Sequence, residues 1–152
     1  MGANPAATAG TLGDKLPLLV TGLAGVPGLN SFFYFRKKYG MATVGIKPGH
    51  TAALDYPEVF GISAEDRVDL DRLFDAYRFK TVIDASGCCA LKSCEYNPRL
   101  ARLINEDFGR RVGAQAQRFG ARLIRLSTDL VFDGAGAGGY REEDAPSPIT
   151  VS

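Results

Sequence analysis

Three glycines, each three residues after the last, follow an apolar stretch near the start of the chain. The segment reads Leu16-Pro-Leu-Leu-Val-Thr21 and continues Gly22-Leu-Ala-Gly25-Val-Pro-Gly28. It predicts a buried strand, a tight turn and a helix beginning near Pro27, because proline is well tolerated in a first helical turn. Such a helix points unpaired N–H groups and its positive dipole end at a bound anion. The chemistry this segment could support is the binding of a phosphate or pyrophosphate group.

Each glycine has its own expected part in that turn. Gly22 can adopt a backbone conformation closed to residues with a Cβ. Gly25 leaves room for a pyrophosphate to approach the backbone, and Gly28 allows the helix to pack closely on the strand. The Gly-x-x-Gly-x-x-Gly spacing is less specific than Gly-x-Gly-x-x-Gly, so an ordinary strand-to-helix turn is the alternative interpretation.

Polar residues at the ends of later predicted strands could meet this turn. Lys47 lies where a nicotinamide dinucleotide would present its adenine ribose, and a lysine there favours a 2′-phosphate, hence NADP over NAD. The hydroxyls of Ser127 and Thr128 could bond a substrate carbonyl. The alternatives are a solvated loop lysine and a strand-end hydroxyl that bonds its own backbone. Asn105, inside a predicted helix, is either a buried polar organiser or a residue that faces water.

The predicted elements place these residues at one edge of a sheet. Strands alternate with helices, apart from a loop-like stretch before the third strand, which predicts an α/β, doubly wound parallel sheet with right-handed crossovers. The predicted strands are 16–21, 41–46, 58–62, 81–85 and 121–126, and the predicted helices are 29–39, one after a capping box at 63–66, and 98–119. The helix after the capping box is amphipathic, with apolar residues at Leu70, Leu73, Phe74 and Tyr77. The expected buried stripe of the helix 98–119 is Leu100, Leu103, Ile104, Phe108, Val112 and Ala116. Ligands of such sheets bind at the carboxyl ends of the strands.

Composition bounds the class of protein. The 152 residues suit one domain, and 18 basic against 17 acidic residues leave a charge of +1, which gives no indication of nucleic-acid or membrane binding. We expect a disordered tail over residues 1–14, a folded domain over 15–152 and no membrane span. The three cysteines, Cys88, Cys89 and Cys94, are expected to be reduced thiols of a cytoplasmic protein without a metal site.

Further segments carry a resemblance to a known family. Ser127-Thr-Asp-Leu-Val-Phe-Asp-Gly134 and Tyr140-Arg-Glu-Glu-Asp-Ala-Pro-Ser-Pro148 are similar to the signature of the dTDP-4-dehydrorhamnose reductases, which are extended short-chain dehydrogenase/reductases. Val82-Ile-Asp-Ala-Ser-Gly87 and Cys94-Glu-Tyr-Asn-Pro98 also resemble family segments, and Asn105 falls on a family asparagine. The resemblance runs from about residue 18 to the end of the chain.

This resemblance implies a Rossmann domain that holds NADPH or NADH, in an oxidoreductase that reduces the 4-keto group of a nucleotide-linked deoxysugar. Thr128 would be the hydroxyl of the catalytic triad. The implied cofactor-binding residues are Gly22, Gly25, Val26 and Gly28 at the pyrophosphate, Lys47, the ribose-contacting Ala85, Ser86 and Gly87, and Asn105.

The chain departs from the family at its end. The family's catalytic Tyr-x-x-x-Lys follows a segment that matches Pro148-Ile-Thr-Val151, where this sequence stops at Ser152. We therefore expect either the cofactor part of a truncated reductase or a non-catalytic dinucleotide-binding module. The second alternative resembles the regulatory beta subunit of methionine adenosyltransferase. A sheet without its second lobe would expose apolar surface, so we also expect a homo-oligomer.

Overall fold

Five parallel strands form one sheet in the order β3-β2-β1-β4-β5. The computed structural model describes residues 12–136 and 138–150. The strands are β1 Leu18–Val20, β2 Thr43–Lys47, β3 Val59–Gly61, β4 Thr81–Asp84 and β5 Arg122–Arg125. The register pairs Leu19 with Val44 on one side and with Val82 on the other. The predicted α/β, doubly wound parallel sheet is confirmed.

Helices connect the strands except between β2 and β3, which are joined by a loop over residues 48–58. The helices are α1 Val26–Tyr39, α2 Val68–Tyr77, α3 Leu91–Tyr96, α4 Pro98–Arg102 and α5 Gly109–Arg118. A π-helical segment, Leu103–Phe108, joins α4 to α5 and makes 98–118 one continuous helical stretch. Short 3-10 turns lie at Leu12–Lys15, Gly40–Ala42 and Asp129–Val131. Residues 1–11 of the predicted tail lie outside the described residues.

The two faces of the sheet are covered unequally. One face packs against α2 and α5 through a core that includes Leu19, Val44, Phe74 and Val112, all without solvent exposure. The other face packs against α1 through a smaller cluster centred on Phe32. The larger cluster supplies most of the apolar burial, which is the main favourable term in folding.

Strand β5 is exposed along its whole length. Ile124 pairs with Ile83, and both side chains lie on the face of the sheet that packs against α1. Helix α1 covers other strands on this face but does not cover β5. Ile124 is 41% exposed and Leu126, two residues further along the same face, is 49% exposed. These two side chains leave an apolar surface beside β4 without a covering helix among the described residues.

Two local predictions differ from the structure. Ser63 does not cap α2: the turn 63–66 precedes the helix, and the Asp66 carboxylate accepts the Asp69 N–H at 3.0 Å. Leu100 was expected in a buried stripe but is 44% exposed, while Ala101 is buried in its place. The π-helical segment explains the second difference, because an inserted residue rotates the helix face before it.

Beyond residue 131 the described chain has no strand or longer helix. It is held by the Ser147 N–H, which donates to the Val131 carbonyl at 2.8 Å, and by stacked Phe132 and Tyr140 rings 4.2 Å apart. Within residues 12–136 and 138–150, no helix has the length and apolar character needed to cross a membrane.

Candidate functional site

A cavity of about 440 Å³ lies at the carboxyl ends of the first four strands. Its walls are the turn after β1, the end of β2, the segment after β3 and the loop after β4, with the π-helical segment closing one side. This is the edge where parallel α/β sheets bind ligands. Among the residues predicted for the site, the lining includes Gly22, Gly25, Lys47, Ala85, Ser86 and Gly87.

The turn after β1 is built on two close backbone approaches. Gly22 has a φ of +73°, and a Cβ there would lie 2.2 Å from the Ala85 carbonyl oxygen. A Cβ on Gly28 would lie 2.2 Å from the Gly22 carbonyl oxygen, so α1 begins directly against the turn. A Cβ on Gly25 would meet its nearest atom only at 3.4 Å. Gly22 and Gly28 are therefore required by packing, while Gly25 borders open space in the cavity.

The first turn of α1 is free to receive an anion. Gly25 is its N-cap, no side chain caps the helix end, and the first turn contains no acidic residue. Unpaired N–H groups and the positive end of the dipole therefore remain available. Val26 is exposed, and neither Val26 nor Gly28 lines the cavity wall, so Gly28 acts through packing.

A buried carboxylate ties the turn after β1 to the loop after β4. Asp84 Oδ1 accepts a hydrogen bond from Thr21 Oγ1 at 2.6 Å. The same oxygen accepts the Ser86 N–H at 3.1 Å and a short hydrogen bond from the Ser86 hydroxyl. Because Thr21 precedes Gly22 and Ser86 lines the cavity, Asp84 fixes two walls of the cavity relative to each other.

Asn105 is an organiser rather than a residue that faces water. Its Oδ1 accepts the Cys88 N–H at 2.7 Å, and its Nδ2 donates to the Cys88 carbonyl at 3.1 Å. This two-point contact spans 17 residues and holds the far end of the loop after β4. Asn105 itself does not line the cavity, so its effect on a ligand there would pass through that loop.

Lys47 lies at the mouth of the cavity with His50. Its Nζ donates to the Ala53 carbonyl in the loop after β2, at 2.8 Å. An ammonium group has three donors, so two remain for an anion at the cavity mouth. His50 is an exposed loop residue that also lines this mouth.

Arg111 supports the wall that follows β3. Its guanidinium donates to the Asp66 carbonyl at 3.0 Å and, through a short contact, to the Ala64 carbonyl. Burial lowers the pKa of Arg111 from its ordinary value, and the nearby positive charge of Arg67 lowers it further. Ala64 and Glu65 line the cavity, so Arg111 holds this wall from behind.

Thr128, Cys89 and Cys94 do not line the cavity, whereas Cys88 does. The Thr128 Oγ1 accepts the Leu130 N–H at 3.2 Å and so caps the following 3-10 turn. Cys94 is buried, its Sγ lies 3.4 Å from the Cys88 carbonyl, and burial raises the pKa of its thiol. Cys88, Cys89 and Cys94 are free thiols. The residues described contain no group of three or more His, Cys, Asp or Glu placed to hold a metal ion.

Several cavity residues were not identified from the sequence. Residues 63–65 were predicted only as part of a helix start, although their position directly after a strand is a signal for the ligand-binding edge. Ile104 and Phe108 were assigned to a core stripe, yet both also face the cavity. Their apolar character gives no local signal that separates these two environments.

Several of the curated proteins that are similar to this chain are dTDP-4-dehydrorhamnose reductases. The chain is 30% identical over 133 residues to the dTDP-4-dehydrorhamnose reductase of Streptomyces griseus, which covers 88% of this chain and 40% of that protein. It is 31% identical over 130 residues to the probable low-salt glycan biosynthesis reductase Agl14 of Haloferax volcanii, with 86% and 43% covered. The chain thus spans less than half the length of these relatives.

Solved structures agree with the fold. A hypothetical dTDP-4-dehydrorhamnose reductase from Sulfolobus tokodaii superimposes with a TM-score of 0.77 at 23% identity, over 88% of this chain and 46% of that one. The Bacillus anthracis dTDP-4-dehydrorhamnose reductase, solved in complex with NADP, gives a TM-score of 0.71 at 23% identity, with 88% and 44% covered. At this level of identity the likeness shows a Rossmann-type fold.

The family model described as the RmlD substrate binding domain matches residues 18–152. This range includes every strand of the sheet and all four walls of the cavity. The protein therefore belongs to the RmlD substrate binding domain family.

Proposed function

We propose that this chain binds NADP(H), with NADPH preferred over NADH, in the cavity at the carboxyl ends of β1 to β4. The observation that carries the proposal is the uncapped start of α1 beside Gly25, where a side chain is absent and the space is open. A pyrophosphate fits such a place because backbone N–H groups and the helix dipole both favour an anion there.

The other walls fit the remaining parts of a dinucleotide. Ala85, Ser86 and Gly87 border the cavity where the riboses would lie, and the apolar Ile62 and Phe108 border the side expected for the adenine. Lys47, with two free ammonium donors at the mouth, supplies the positive charge that a 2′-phosphate requires. Together these groups match the chemistry of NADPH.

For the whole protein we propose reduction of a nucleotide-linked 4-keto deoxysugar, as the relatives' names indicate. The cofactor would supply a hydride, and this chain's residues would bind and orient it. Thr128 is the proposed hydroxyl of the catalytic site: its O–H, which donates to Asp129 Oδ1 at 3.3 Å, would turn to a substrate oxygen while Oγ1 still accepts the Leu130 N–H. The protein would work in the cytoplasm, where an exposed thiol such as Cys89 stays reduced.

A non-catalytic dinucleotide-binding module is the second candidate. The observation that favours it is the present bonding of Thr128, whose hydroxyl donates to Asp129 Oδ1 at 3.3 Å and accepts the Leu130 N–H, so that it is used within its own turn both as donor and as acceptor. The two candidates share the cavity and differ in turnover. Addition of a dTDP-4-keto sugar to the NADPH-loaded whole protein separates them, because only a reductase oxidises NADPH and so lowers the absorbance of the reduced cofactor.

The binding proposal is tested by calorimetric titration of the 152-residue chain with NADPH and separately with NADH. We expect NADPH to bind about tenfold more tightly, since one good charge-assisted contact contributes about 1.4 kcal/mol. Lys47→Met should abolish this preference while leaving the affinity for NADH unchanged. Lys80→Met, at the opposite end of the sheet, is the matched control and should behave as wild type. Absence of heat with both cofactors would refute the proposal.

We further infer that a second copy of the chain covers the apolar surface formed by Ile124 and Leu126. Exposed apolar surface on a sheet face favours association because its burial removes it from water. Sedimentation at micromolar concentration should show a dimer, and Ile124→Glu should convert it to a monomer without lowering the NADPH affinity. A wild-type chain that sediments as a monomer across this range would contradict the inference.

A further inference from the structure

Asp84 has a second carboxylate oxygen whose environment the cavity does not explain. The side chain is fully buried, and Oδ2 accepts no hydrogen bond from the residues that the structure describes. Burial of an ionised carboxylate is costly unless a charge compensates it. The nearest compensating group is Arg125, whose Nη1 lies 3.4 Å from Oδ2.

Arg125 reaches two separate parts of the site from strand β5. While Nη1 faces Asp84, Nη2 donates to the Asn105 backbone carbonyl at 2.6 Å. Asn105 lies in the π-helical segment, and its side chain holds Cys88. Through Asp84, Arg125 is also linked to the hydrogen bonds made by Thr21 and Ser86. One guanidinium therefore joins the elements that form three walls of the cavity.

The missing side chain of Gly109, at the start of α5, leaves a space that the Arg125 guanidinium fills. A Cβ on Gly109 would lie 1.6 Å from Arg125 Nη1, so any residue other than glycine would displace this side chain. Gly109 begins α5 immediately after the π-helical segment. Arg125 therefore reaches Asp84 in this position because residue 109 is a glycine, although the three residues lie on different elements.

We propose that Asp84 and Arg125 form a positioning pair that sets the loop 85–88 against the glycine turn and so controls dinucleotide affinity. This inference rests on the proposed function, because it assigns the pair to the same cavity. Arg125 itself does not line that cavity. The effect of Arg125 on dinucleotide affinity is transmitted by the loop 85–88. Arg125 is needed because it compensates the buried negative charge of Asp84.

A double-mutant cycle tests the pair. Arg125→Met should weaken NADPH binding about tenfold when Asp84 is present, within the range of coupling seen for contacting residues. Asp84→Asn removes the buried charge yet keeps an oxygen for Thr21 and Ser86, so Arg125→Met should then have a smaller effect, limited to loss of the Nη2 contact with the Asn105 carbonyl. Arg125→Lys should restore part of the affinity, and Arg122→Met, on the same strand, should match wild type. Equal effects of Arg125→Met in both backgrounds, or none, would overturn the proposal.

Gly109→Ala separates positioning from stability. Displacing the Arg125 guanidinium leaves the Asp84 charge uncompensated, but alanine favours a helix more than glycine does, so the unfolding temperature should fall less than in Arg125→Met. The new Cβ should still weaken NADPH binding as Arg125→Met does. If affinity merely followed stability, Gly109→Ala would weaken NADPH binding less than Arg125→Met does. An unchanged affinity in Gly109→Ala would count against the positioning pair.

Hydrogen exchange distinguishes failure of this inference from failure of the proposed function. The Ser86 and Cys88 amides donate to Asp84 and Asn105, so their exchange reports the loop without any cofactor. If the wild-type chain binds neither NADPH nor NADH, the proposed function fails, but the pair is still supported when these amides exchange faster in Arg125→Met than in Arg122→Met. Equal exchange in the two variants would overturn it.

Discussion

Gly28→Ala is expected to destabilise the protein by about 3 kcal/mol or more and to abolish measurable NADPH binding. The new Cβ would lie 2.2 Å from the Gly22 carbonyl oxygen and 2.7 Å from the Thr21 carbonyl oxygen. Both neighbours are backbone atoms of a buried strand end, so neither can rotate away as a flexible side chain would. The start of α1 must therefore move from the turn, which displaces the N–H groups offered to the pyrophosphate. Urea unfolding and calorimetric titration measure the two effects.

Gly25→Ala is the matched control for this prediction. It adds the same methyl group to the same turn, but the nearest atom is 3.4 Å away and the backbone conformation is extended. We expect a stability loss below about 1 kcal/mol, since alanine is only a poorer N-cap than glycine. NADPH affinity should nevertheless fall, because the methyl group enters the space left for the pyrophosphate. Unchanged affinity in Gly25→Ala would mean that the pyrophosphate does not bind at this turn.

The sequence was sufficient for the features that depend on local pattern. Short apolar runs bounded by turns marked all five strands, and the spacing of Leu70, Leu73 and Phe74 marked the buried face of α2. Parallel pairing then follows from the alternation of strands and helices. The position of the cavity follows in turn, because parallel strands end at one edge.

Contacts between residues distant in sequence could not be predicted from local sequence patterns. Asp84 and Arg125 are 41 positions apart, and nothing near either one indicates the other. The π-helical segment that brings the Asn105 carbonyl to Arg125 has no signature in the residue types. Lys47 was placed correctly at the strand end, but its bond to the Ala53 carbonyl depends on the path of a loop. These features arise from tertiary packing, which propensity and periodicity do not encode.

Asn105→Ala is the second variant with a large expected effect. It removes both hydrogen bonds to Cys88 and leaves a partly buried N–H and carbonyl without those partners. Loss of such partners costs about 2 kcal/mol of stability. The loop 85–88 would keep its attachment at Ser86 and the contact of Cys94 Sγ with the Cys88 carbonyl. We also expect NADPH affinity to fall about tenfold, as for other contacting groups in one network.

Asn97→Ala is the matched control for Asn105→Ala, because it removes the same side chain from the same helical stretch. Asn97 caps the start of α4 by accepting the Leu100 N–H at 3.1 Å, and it does not contact the loop after β4. Its removal should cost about 1 kcal/mol of stability without changing NADPH affinity. If both variants lose affinity in proportion to their stability, Asn105 acts only as a structural residue. If Asn105→Ala alone loses affinity, the Cys88 contact positions the loop for the cofactor, because the same chemical change elsewhere on the helical stretch does not.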